Sequence, residues 1–178
     1  LSSCKVNQLT GKKTFNVFSN KQLFPMAFSQ YESFLKEHPV IRNTSESQNI
    51  KDIGGRIAKA AQLYFEYKGA PNYLKEYAWE YNLVQNDQRN AWCMPGGKIA
   101  VYTGLLKVTK NINALSIVMG HEIAHAVAKH SVERMSHAMT INLGTTVADI
   151  FLGGAINRTR NTVGQNTGLD IFQLGIMN

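Results

Sequence analysis

At 178 residues the chain is the right size for one domain with a sizeable core. Its formal net charge of +7 and pI near 9.5 come from scattered basic residues, with Lys12-Lys13 the only adjacent pair. There is no clustered patch, helix-turn-helix or aromatic stacking motif, which argues against nucleic acid as a partner and suits weak attraction to an anionic membrane surface. Two cysteines, Cys4 and Cys93, cannot make a disulfide framework.

Leu1-Ser2-Ser3-Cys4 resembles the end of a bacterial lipoprotein signal, where a small residue precedes the cysteine that becomes lipidated. Cys4 is therefore the candidate lipidation site, with a membrane as partner, and residues 1–19 are expected to be a lipobox remnant and a flexible lead-in. Residues 20–178 are expected to form the domain proper. From Asn20 to about Lys36 the apolar residues recur at roughly helical period, and Pro39 stops the pattern. A second helix is predicted from about Ser47 to Tyr67, ended by Gly69-Ala70-Pro71.

The texture then changes. Trp79 to Val84 alternates like a half-buried strand, Asn90 to Met94 reads as a second strand, and Lys98 to Tyr102 as a third. Pro95-Gly96-Gly97 makes a tight turn between the last two, so the segment is predicted to be a small antiparallel meander. Cys93, between Trp92 and Met94, reads as a buried small hydrophobe. Gly104 to Val108 forms a short connecting helix. Runs of strands beside helices make the fold α+β.

The next helix carries the chemistry. Lys110 to Asn113 offers N-cap candidates, and from Ala114 apolar residues crowd most of the circumference, which predicts a helix deep in the core. On it lies His121-Glu122-Ile123-Ala124-His125, an H-E-x-x-H motif. Residues four apart project from one helical face, so His121 and His125 can bind one metal ion through neutral imidazoles. Glu122 sits one step round, placed to take a proton from a water without being a ligand itself. The motif describes a zinc hydrolase. Gly120 is expected to let another backbone approach the metal face closely.

His130 falls nine residues after His121, one short of the H-E-x-x-H-x-x-G-x-x-H spacing, and the glycine is missing. His130 and His137 therefore read as solvent-side or helix-end histidines. Ala138 to Ile156 is apolar, but Asn142 and Asp149 interrupt it, so it reads as a core or interfacial helix rather than a membrane span. Asn157 to Gly168 is a polar loop, and Leu169 to Met177 returns to apolar character.

Asn90-Ala91, Pro95-Gly96-Gly97-Lys98-Ile99, Tyr102-Thr103-Gly104-Leu105-Leu106 and the run His121 to His130, in that order, resemble metallopeptidase family 48, the HtpX-like and CAAX-prenyl-protease-like zinc peptidases. The soluble lipoprotein branch of bacterial envelopes is the nearest fit, and the similarity covers most of residues 20–178. The resemblance implies a zincin-like, gluzincin fold around a buried H-E-x-x-H helix. It also implies a Zn2+ cofactor, Glu122 as base, and a third zinc ligand that is a glutamate on a later helix. After His125 the only carboxylates are Glu133, Asp149 and Asp170, and none matches the family's E-x-x-x-D pattern. The third ligand is therefore expected beyond Asn178, with the domain truncated at its C-terminus.

A metalloendopeptidase acting on unfolded or misassembled envelope proteins is what the resemblance implies, lipid-anchored and facing the periplasm. Lys98, Ile99, Ala100, Val101 and Tyr102 are the candidate edge for holding an extended polypeptide substrate by β-augmentation, against the alternative of a middle strand. The rival reading is a lipid-anchored chaperone or assembly factor with a structural zinc site. Glu122 weighs against it, because a purely structural site has no use for that carboxylate.

Overall fold

A computed structural model describes residues 4–6, 11, 13–15 and 19–130. At the N-terminus two short strands, β1 (Cys4–Val6) and β2 (Lys13–Phe15), pair antiparallel with Cys4 opposite Phe15 and Val6 opposite Lys13. Gly11 lies between them with a left-handed φ of 68°, a conformation glycine adopts without steric cost. The lead-in expected to be flexible thus contains a hairpin, whose strands are too short to register as a run of alternating residues.

Helix α1 (Asn20–Glu37) starts at Ser19, whose backbone N–H donates to the Gln22 side chain at 3.1 Å. A short strand β3 (Val40–Ile41), which the sequence reading missed, precedes α2 (Ser45–Tyr67). The Thr44 side chain caps α2 by accepting from Ser47 N–H at 3.2 Å. Strands β4 (Glu80–Val84), β5 (Ala91–Met94) and β6 (Lys98–Tyr102) follow, then α3 (Thr103–Thr109) and α4 (Ile112–Val127).

The sheet is not the antiparallel meander expected. Its order is β3-β4-β6-β5, with β4 and β6 parallel and the other two pairings antiparallel. The turn at Pro95-Gly96-Gly97 ties β5 to β6, with Gly97 N–H donating to Met94 O at 3.1 Å. Gly96 and Gly97 have φ of 85° and 90°, which only glycine takes readily. Residues 85–90 are long enough to carry the chain past the β6 position, so β6 returns to lie between β5 and β4. Sequential strands are neighbours only about two-thirds of the time, and this pair is an exception.

Because side chains alternate across a strand, the sheet has two different faces. Val84, Trp92, Met94, Ala100 and Tyr102 face α1, where they pack with Leu23, Phe24, Ala27, Tyr31 and Phe34. Leu83, Ala91, Cys93, Ile99 and Val101 face the other way, against Ile50 and Ile53 of α2 and Met119, Ile123 and Ala126 of α4. The result is three layers: α1, the sheet, then α2 with α4. Each large side chain wholly buried here, such as Ile99 or Met119, contributes about 1.5–3 kcal/mol relative to exposure.

Cys93 lies in the α4-facing layer and is 8% exposed, as expected of a buried small residue. Burial, and secondarily the negative charge of Glu122, push its thiol well above the usual range. Among the described residues no helix is long and apolar enough to cross a membrane. The predicted helix from Ala138 to Ile156, the loop to Gly168 and the apolar stretch to Met177 lie outside the described residues, as does His137.

Two outcomes test this packing. A Cβ on Gly104 would sit 2.2 Å from the backbone carbonyl oxygen of Asp87, which cannot move aside as a side chain would. Gly104→Ala should therefore cost about 1–3 kcal/mol in urea unfolding. A wild-type midpoint would contradict the close approach of α3 to that loop. Cys93 should resist iodoacetamide in the folded protein and react only on denaturation. Native-state labelling at the denatured rate, read by peptide mass, would contradict its burial.

Candidate metal centre on the H-E-x-x-H helix

Helix α4 begins with Asn111, whose side chain accepts from Ala114 N–H at 2.9 Å. Its buried stripe is Leu115, Met119, Glu122, Ile123, Ala126 and Val127, spaced as a 3.6-residue period requires. The helix is not surrounded, contrary to the expectation from its composition. Ile112 is 53% and Ile117 74% exposed, and His121 lies one turn on from Ile117 on the same open side. Gly120 does not receive another backbone: the nearest atom to an added Cβ is the Ile57 side chain at 4.0 Å.

The C-terminal end of α4 is anchored from outside. The Tyr77 hydroxyl donates to Ala126 O at 3.1 Å and the Tyr73 hydroxyl to Val127 O at 3.0 Å. Ala126 O also accepts from Lys129 N–H at 3.1 Å, so the tyrosine hydroxyls add a side-chain cap from outside to the turn that closes the helix. Burial pushes Tyr73 up to about 12, and burial followed by the nearby Tyr73 raises Tyr77 well above its usual range. Both therefore remain protonated donors. Sequence reasoning missed this pair, and nothing in the segment between α2 and β4 signals where it packs.

The histidines are brought together here. Nε2 of His121 lies 2.9 Å from Nε2 of His125, the rings meeting edge to face at 86°. Glu122 projects into the core stripe and is 4% exposed. After Val127 the helix stops, with Ala128 as its C-cap and Lys129 left-handed at φ 59°. A non-glycine residue there costs about 1–3 kcal/mol. The bend is held by Lys129 Nζ donating to Asn20 Oδ1 at 3.3 Å and lying 5.0 Å from the Tyr73 ring centre. It turns His130 back, so that its Nδ1 is 2.7 Å from Nδ1 of His125. His130 is half-buried against His125 rather than facing solvent.

Two convergent imidazole nitrogens suit a divalent metal such as zinc, which favours nitrogen donors. Among the described residues no group of three His, Cys, Asp or Glu completes a metal cluster. Asp149 and Asp170 lie outside the described residues.

The remaining candidates fall elsewhere. Lys98 to Tyr102 is not an edge: β6 pairs with β4 on one side and β5 on the other. Its backbone donors and acceptors are committed to the sheet, and Lys98 is paired with Glu80 at 2.9 Å. The reason is again the strand skipping by residues 85–90. The sheet edge next to α4 is β5, whose residues are only 0–8% exposed. Cys4 lies on β1, opposite Phe15.

The chain is similar to known metallopeptidases. The description of peptidase family M48 matches residues 45–178. The chain is 39% identical over 96 residues to the mitochondrial metalloendopeptidase OMA1 of Arabidopsis thaliana, covering 54% of this chain and 19% of that protein. It is 29% identical over 111 residues to metalloprotease YcaL of Escherichia coli K12, covering 62% and 41% respectively. It is 35% identical over 97 residues to the beta-barrel assembly-enhancing protease of Yersinia pestis, covering 54% and 18%. The chain thus spans less than half the length of each of these relatives. With the family match running from the start of α2 through the histidine helix to the last residue, the chain belongs to peptidase family M48.

Proposed function

We propose that the protein is a zinc-dependent metalloendopeptidase of the gluzincin type, in which His121 and His125 are two of the zinc ligands and Glu122 is the catalytic base. The observation that supports it most is the convergence of the two Nε2 atoms at 2.9 Å on a helix that buries the intervening glutamate. A third ligand, a glutamate on a later helix, completes the set in this reading. Zinc, when bound, lowers the pKa of a water toward about 7 and polarises the scissile carbonyl. Glu122 accepts the proton of the attacking water and returns it to the leaving amine. Its burial shields that carboxylate from bulk water, which strengthens its electrostatic interactions. His121 and His125 hold their positions through the helix and its tyrosine cap.

The substrate is an unfolded or misassembled polypeptide of the bacterial envelope. The similarity to the beta-barrel assembly-enhancing protease of Yersinia pestis supports this class. An extended substrate pairs with β5, the sheet edge beside α4, rather than with β6. Cys4 carries a lipid that holds the domain at the membrane facing the periplasm, with residues 1–19 as the tether. The β1–β2 hairpin makes that tether shorter than a fully extended lead-in would be.

In the full-length protein, Glu122→Gln should retain zinc and the fold but lower casein hydrolysis by about 10²–10⁴-fold, since the amide cannot take the proton. His121→Ala should lose the metal. Undiminished cleavage by Glu122→Gln would transfer support to a polypeptide-binding chaperone with a structural zinc site. For the anchor, wild type should fractionate with membranes and Cys4→Ser should move to the soluble fraction, because each buried lipid methylene contributes about 0.8 kcal/mol. Wild type that is soluble at low salt would rule the lipid out.

A further inference from the structure

His130 has no role in the chemistry just described, yet it is held against a residue that has one. Its Nδ1 meets Nδ1 of His125 at 2.7 Å, while Nε2 of His125 faces His121 at 2.9 Å. The two contacts therefore use opposite nitrogens of the His125 ring. His130 touches the edge turned away from the shared site, which makes it unsuited to be a third ligand through that nitrogen. An imidazole that gives Nε2 to a metal keeps its proton on Nδ1, and that N–H needs an acceptor. Carboxylates and backbone carbonyls usually serve; here the group in place is a second imidazole.

We propose that His130 is a positioning residue: its Nδ1 accepts a hydrogen bond from Nδ1–H of His125 and so fixes that ring's tautomer and orientation, with Nε2 toward His121. This rests on the reading of His121 and His125 as zinc ligands. The chain between the two histidines is built to deliver the contact. Without the left-handed Lys129, continued helix would carry residue 130 round to another face, 100° per residue from His125. Lys129 is tied to α1 through Asn20 and to the α2–β4 segment through the Tyr73 ring. The tyrosine hydroxyls on Ala126 and Val127 fix the helix end from which the bend departs.

The test uses the full-length protein and measures Zn2+ affinity by competition with a chromophoric chelator, together with the visible spectrum of the Co2+-substituted form. His130→Ala should weaken zinc binding about 10–100-fold and alter the cobalt bands. His130→Asn places an amide oxygen where Nδ1 stood and should recover most of the affinity. Thermal unfolding of the metal-free variants separates any folding defect from a ligand-orientation defect. Wild-type affinity in His130→Ala, or equal weakening in the Ala and Asn variants, would overturn the positioning role and leave the zinc centre standing. A wild-type protein that binds no zinc would overturn both.

Discussion

The register of β5 against β6 is the constraint on which the rest depends. With Trp92 opposite Ala100 and Cys93 opposite Ile99, each strand sends alternate residues to α1 and to α4. A slip of one residue would exchange the two sets. Trp92 would meet the face that α4 occupies, and α4 could not approach closely enough for Met119 and Ile123 to share a core with Cys93. The turn at Gly96-Gly97 pins this register, because its positive φ values define where one strand ends and the other starts. A local backbone preference in two residues thereby determines where a helix some twenty residues later can sit.

Helix α4 shows how a core position can be given to a charged residue. Glu122 occupies the stripe between Met119 and Ala126, where an apolar side chain would serve packing better. Burying a carboxylate is costly unless it is partnered. The histidines, by contrast, sit at the margin of the open face that begins at Ile117. One helix thus presents three chemistries in turn: apolar inward, acidic at the boundary of the core, and imidazole toward the exposed side.

Much of this was legible in the sequence. Breakers and cap candidates located the ends of α1 and α2 and the start of α4, because Pro39, Gly69-Ala70-Pro71 and Asn111 act on the backbone within a few residues of themselves. The H-E-x-x-H spacing located the histidine pair for the same reason. What sequence could not give was pairing between distant segments. The parallel β4–β6 contact, β3, and the β1–β2 hairpin depend on which strands meet, and local pattern does not encode that. The reading of β6 as an edge failed on this point. The inward turn of His130 was hidden because Lys129 is an unusual residue for a left-handed position, where glycine or asparagine would have announced a helix end.

The tyrosine cap has a dynamic consequence. The last turn of a helix is ordinarily the first to fray, opening without disturbing its neighbours. Here the carbonyls of Ala126 and Val127 are bonded to Tyr77 and Tyr73, and Tyr73 is itself stacked on Phe65 of α2 with ring centres 4.1 Å apart. For the end of α4 to open, the segment between α2 and β4 must also lift from its place. Local fluctuation of the second histidine is thereby converted into a sub-global event shared by three segments. The His125 ring and the segment between α2 and β4 thereby belong to the same cooperative unit.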